Sequence, residues 1–124
     1  MSALNENAIT RLATASLVDM NTATASTLYT VPSDKSCVIT SIVVRNANVS
    51  LTTASFSFGF TSAVYNDVIA NATHTEINSA TVYTILNAKA GAKLGISGNA
   101  LKVLMNTLQG AAATTTMEVY GYLF

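Results

Sequence analysis

Apolar positions between Thr27 and Asn46 fall into two blocks separated by Pro32-Ser33-Asp34-Lys35. The first block, Thr27 to Val31, predicts a strand. Proline presets the first torsion of a turn, and serine and aspartate side chains satisfy turn amides, so a hairpin is expected there. The second block, Cys37 to Asn46, predicts a long strand with Val38, Ile42 and Val44 on one face and Cys37, Ile39 and Val43 on the other. A strand that is apolar on both faces needs two covers. No convincing amphipathic helix follows residue 20, so the second cover is expected from another subunit.

The same alternation marks Ala54 to Thr61, where Ala54, Phe56, Phe58 and Phe60 share one face and serine, glycine and threonine the other. Three phenylalanines on one side predict a core strand. Further strands are expected at Thr14 to Asp19, Ala63 to Ala70, Thr81 to Leu86, Ala92 to Ser97, Leu101 to Asn106 and Thr114 to Phe124. Ile9, Leu12, Leu17 and Met20 also approximate a helical stripe, which leaves the first segment ambiguous. Asn71 to Glu76 is polar and reads as an exposed loop, and Gly98-Asn99 reads as a tight reversal. Residues 1–10 are polar and are expected to form a flexible or partner-ordered arm.

Eight or nine short strands with turns every eight to twelve residues predict an all-β chain, an antiparallel β-sandwich of jelly-roll type. A Greek-key barrel is the alternative. A length of 124 residues is that of one domain.

Composition changes this picture in one respect. Half of the residues are apolar but only 10% are charged, against about 25% in an ordinary soluble domain. A surface so poor in charge has little protection against association, and it is expected to be covered by other proteins. The formal net charge is zero, which removes the attraction that drives nonspecific nucleic-acid binding, so no nucleic acid is expected as partner. No stretch reaches the roughly eighteen apolar residues of a membrane span, and no membrane association is expected. The first residues lack a basic region followed by an apolar run, so no secretory signal is expected.

Candidate chemistry is sparse. His74 is the only histidine, and it sits in a polar stretch with Asp67 and Glu76 on either side. Nothing places a serine or Cys37 beside it as a nucleophile, and a solvated histidine is expected. Asp67, His74 and Glu76 lack the spacing of zinc or calcium ligands, and no cofactor or metal is expected. Gly91, Gly95 and Gly98 sit between short strands and do not open a phosphate-binding helix. Cys37 has no second cysteine to pair with and is expected to be a buried thiol. Asn48 and Asn71 begin glycosylation sequons, but with no secretory signal expected they are not expected to meet that machinery. Lys89, Lys93 and Lys102 gather positive charge in the second half of the chain, as a solvated edge or as a docking patch for an acidic surface. No catalytic residue is expected, and the chain reads as structural.

In Met117 to Phe124, Met117, Val119 and Leu123 are expected to face the core and Tyr120, Tyr122 and Phe124 to form an aromatic row outside. Such a row suits a subunit interface or the stacking of a sugar. With the two-faced strand it favours an interface formed by Ile39, Val43, Arg45, Tyr120, Tyr122 and Phe124.

The run Leu28-Tyr-Thr-Val-Pro32, Lys35 and Val38 to Asn46, with Tyr83 to Leu86, Leu94 to Ser97 and Leu101 to Val103, resembles a pattern in small virion proteins of tailed bacteriophages. These are β-sandwich proteins that include capsid decoration (cement) proteins, neck components and tail modules. The resemblance implies a virion role. The cement variant implies a homotrimer on the outer capsid surface, synthesised in the bacterial cytoplasm, with the major capsid protein as partner. The alternative is a tail, neck or fibre module whose aromatic row binds host glycan.

Overall fold

A computed structural model describes residues 8–124. The chain forms eight strands, β1 (Thr10–Asp19), β2 (Ser26–Thr30), β3 (Cys37–Arg45), β4 (Ser55–Gly59), β5 (Ile69–Thr73), β6 (Tyr83–Asn87), β7 (Ala100–Thr107) and β8 (Thr114–Leu123). They make two antiparallel four-stranded sheets, ordered β1-β8-β3-β6 and β2-β7-β4-β5. Among the described residues there is no helix, and the all-β sandwich expected from the alternation is what the chain adopts. β1 pairs with β8, β2 with β7, β3 with β6 and β4 with β5, and successive strands alternate between the sheets except β4 and β5, which are neighbours in one sheet.

Phe56 and Phe58 on β4 are fully buried and meet edge to face, with ring centroids 5.8 Å apart. Around them close Ile42, Val44, Met117 and Val119 from the facing sheet and Leu101 and Val103 from the neighbouring β7, with Met20, Leu51 and Ile77 supplied by loops. The Leu51 amide donates to the Ile77 carbonyl at 2.8 Å, which ties two of these loops over the core. On the far side of β4, Ser57 is equally buried but polar. It accepts a hydrogen bond from the Asn106 side-chain amide at 3.2 Å, and that amide also donates to Asn71 at 2.9 Å. The second sheet therefore turns a polar face outward.

Five expectations are corrected by the structure. The turn at Pro32 exists, with the Lys35 amide donating to the Pro32 carbonyl at 3.3 Å, but it does not make a hairpin. β2 pairs with β7, while β3 pairs with β6 and β8 in the other sheet. Ala92 to Ser97 does not return as a strand: Gly95 alone bridges to Cys37, close against Phe60 and Val31, where a Cβ would not fit. The fifth strand starts at Ile69 and not at Ala63, because Asp67 holds the preceding residues in a loop by accepting from the Phe60 amide at 2.8 Å and from the Thr61 hydroxyl. β1 begins at Thr10, so the expected arm reaches into the sheet at its end, and residues 1–7 of that arm lie outside the described residues.

The fifth correction matters most for function. The β3–β8 register shifts between Ile39 and Ser41, a bulge that inserts one residue into β3. A single extra residue reverses the alternation beyond it. Cys37, Ile39, Ile42 and Val44 consequently all point into the core, and only Val38 and Val43 remain as half-buried apolar residues outside. Thr40, the inserted residue, donates its hydroxyl to the Tyr120 carbonyl at 3.1 Å. Cys37 is fully enclosed, and burial pushes its thiol up to about 11. It is inert at neutral pH.

Candidate functional site: the outer face of the first sheet

The register of the first sheet lays its outward side chains in rows. Tyr122 stands opposite Val38, Glu118 opposite Val43, and Thr116 opposite Arg45. On β6, Ile85 continues the row of Val43 and Tyr83 that of Arg45. At the other end Ser36 exchanges backbone hydrogen bonds with Phe124 at 2.9 and 3.0 Å. The Cys37–Gly95 bridge brings exposed Leu94 and Ile96 beside the start of β3.

This face carries large apolar side chains that are open to solvent. Tyr83, Ile85 and Phe124 are 65%, 52% and 55% exposed, and Tyr120 and Tyr122 are half-buried. Isolated apolar residues on a surface are ordinary, but several large ones sharing one sheet face make it a candidate interaction surface. Tyr122 and Phe124 lie with ring centroids 6.3 Å apart and planes inclined by 48°, so the aromatic row is a ridge and not a flat platform.

A charged triad crosses the middle of the face. Glu118 on the central strand β8 accepts from Arg45 Nε on β3 and Arg11 Nη1 on β1, each at 3.0 Å. The carboxylate is only 10% exposed while the guanidiniums are about half in solvent. Hydrogen bonds from Arg45 and then Arg11 outweigh the opposing effect of burial and hold Glu118 below the usual carboxylate range. A depressed folded-state pKa means that this contribution is fully present above the unfolded value, near 4.5, and is lost as pH falls through the folded value. Glu118→Gln is expected to lower stability by about 1 kcal/mol at pH 7, a modest figure because solvent screens the arginines. The difference from wild type should shrink below about pH 4. Chemical denaturation at pH 7 and at pH 3 measures both.

Of the residues expected at an interface, Val43, Arg45, Tyr120, Tyr122 and Phe124 lie on this face. Ile39 does not: the bulge turns it inward, where it is 4% exposed and belongs to the chain's own core. Reading by residues alone missed Tyr83 and Ile85. Their alternation with Thr84 and Leu86 carried the signal, but not the side that faces outward.

Of the candidate catalytic and ligating residues, His74 and Glu76 meet but no third joins them. Asp67 is occupied within its loop. His74 is not a solvated residue: its ring packs on Phe56 at 5.3 Å and its side chain is 16% exposed, with Nδ1 3.5 Å from Glu76. Glu76 in turn accepts from the Thr84 hydroxyl at 2.8 Å. Among the described residues no group of three His, Cys, Asp or Glu side chains is placed to hold a metal ion.

No family model matches the sequence. No curated protein matches it either. Among solved structures, a chain of the cyanophage Pam1 capsid asymmetric unit superposes with a TM-score of 0.57 at 10% identity, over 94% of this chain and 86% of that one. A chain of the acidic stable capsid structure of Helicobacter pylori bacteriophage KHP30 gives a TM-score of 0.55 at 13% identity, over 94% of both chains. At these identities the likeness is one of fold: the same two-sheet architecture recurs over nearly the whole length of chains found in phage capsids.

Proposed function

We propose that this protein is a structural component of a bacteriophage virion, and specifically a capsid cement protein with no enzymatic activity. The observation that carries the reading is the uncovered apolar face of the first sheet, crossed by a fixed ion triad. Such a surface suits permanent burial against protein. The likeness in fold to chains from two phage capsids supports the particle as its setting. We read the strand order as that of a jelly roll, with the outer face of the first sheet making contacts between copies in a trimer that sits on the outside of the shell.

The action is thermodynamic. A ligand that binds only the assembled, expanded lattice of major capsid protein adds its binding free energy to the stability of that lattice. Many modest contacts repeated over a shell act together through avidity. The test is to mix the protein with expanded capsids and with unexpanded procapsids and to measure what co-sediments. Binding to expanded capsids alone is expected; equal binding to both, or to neither, overturns the reading. Ile85→Asp places a charge on the exposed face without touching the core. It is expected to reduce binding at least tenfold, about 1.4 kcal/mol, with an unchanged circular dichroism spectrum. Binding to host glycans on an array, with none to capsids, would instead identify a tail or fibre module.

A further inference from the structure

The connection between β4 and β5 is strained and is braced by segments that carry lysines. Ala63 and Tyr65 have φ angles of 78° and 40°, in the left-handed region that side chains with a Cβ avoid. Such backbone persists only where the surroundings over-determine it, and it concentrates at sites that bind. Here the bracing is visible. Besides the two bonds to the Asp67 carboxylate, the Tyr65 amide donates to Thr61 at 3.0 Å, the Lys93 amide to Asp67 at 2.8 Å and the Lys89 amide to Val68 at 2.9 Å. Gly59 lies directly beneath, where a Cβ would come within 2.6 Å of the Tyr65 carbonyl carbon and 2.7 Å of the Asn66 nitrogen.

This brace presents Val64, 51% exposed, at the tip of the loop. Three of the four lysines of the chain belong to the segments that brace or touch this loop. Lys89 and Lys93 are fastened by their own amides, Lys93 Nζ donates to the Thr61 hydroxyl at 3.1 Å, and Lys102 Nζ lies 5.5 Å above the Tyr65 ring. The one carboxylate of the loop, Asp67, is held by hydrogen bonds within it and interacts with the Lys93 charge, so three lysines stand against one carboxylate. A chain with no net charge therefore concentrates cations at one corner, around an apolar tip held in a fixed shape.

We propose that this loop is a docking tip for a carboxylate-rich protein surface that offers an apolar recess to Val64. The lysines match the sign of the partner, and the fixed backbone spares the loss of loop freedom on binding. A nucleic acid fits less well, because it calls for a longer cationic track and exposed aromatic rings, whereas Tyr65 is half-buried beneath Lys102. The site is separate from the outer face of the first sheet and does not depend on the capsid reading.

The test is a titration of isotope-labelled protein, followed by NMR at low salt, with a short peptide of glutamates flanking a central leucine. A thymidine oligonucleotide of equal charge is the comparison. Amide shifts confined to residues 60–68, 89, 93 and 102 are expected. Affinity should fall at least tenfold in the combined variant Lys89→Gln, Lys93→Gln, Lys102→Gln, and about threefold in Val64→Ser. Thermal denaturation verifies that both variants stay folded. Absence of shifts at millimolar peptide, shifts located elsewhere, unchanged affinity in a folded triple variant, or tighter binding of the oligonucleotide would each overturn the proposal.

Discussion

Phe56→Ala is expected to lower the free energy of unfolding by about 3–5 kcal/mol. Phe56 is fully buried, meets Phe58 edge to face and forms the surface on which His74 packs. Truncation removes the transfer free energy of the ring and leaves a cavity between two sheets whose backbones are fixed by hydrogen bonds, so the site cannot collapse to fill it. His74 loses its support at the same time, and its buried Nε2 already has no hydrogen-bond partner. A small domain has a total stability of about 5–15 kcal/mol, so the variant should unfold at a urea concentration lower by about 2 M. A decrease below about 1 kcal/mol would mean that Phe56 is not at the centre of the core.

Gly121→Ala should be nearly as damaging for the opposite reason. Gly121 on β8 pairs with Ile39 on β3, at the point where the bulge begins. An added Cβ would overlap the Val38 carbonyl oxygen and lie 3.0 Å from its carbon and 3.1 Å from the Ile39 Cα. All three atoms belong to the main chain, and no side-chain rotation relieves the overlap. The expected loss is about 3 kcal/mol, the upper end of what over-packing costs. Gly91→Ala is the control: it has open space around it but a positive φ of 72°, and should cost only about 1 kcal/mol of backbone strain. Equal effects of the two substitutions would show that the β3–β8 contact is not as close as described.

The same glycine explains why part of the fold was legible in the sequence and part was not. β4 and β8 could be read directly, because large apolar residues alternate with small or polar ones along each of them. The two faces of β3 could not. Its bulge answers to a neighbouring strand, at Tyr120 and Gly121, some 80 positions away, and no local period carries that information. Counting Ile39 among outward residues followed from an unbroken alternation, and the inserted Thr40 cancels it. β5 was hidden for another reason: Ile69 is its one buried side chain, and Asn, Ala and Thr at its other positions resemble a loop. The turn at Pro32 was legible as chemistry but not as topology, since turn residues set the bend and distant strands choose the partners. The candidate face was half legible. The aromatic residues of β8 announced themselves, while Tyr83 and Ile85 gained meaning only once β6 was seen to lie beside β3.

The pairing of β1 with β8 has a consequence for how the molecule is made. Arg11 and Glu118 are 107 positions apart yet joined by an ion pair, and β8 lies in the interior of its sheet with β1 and β3 on its flanks. Until Thr114 to Leu123 has left the ribosome, β1 and β3 have nothing to hold between them. The first sheet can therefore assemble only after synthesis of β8, and the nascent chain waits with two bare edges. Closing so large a loop is slow, in the millisecond-to-second range of other sandwiches. β8 is therefore the piece whose arrival locks β1 and β3 in place.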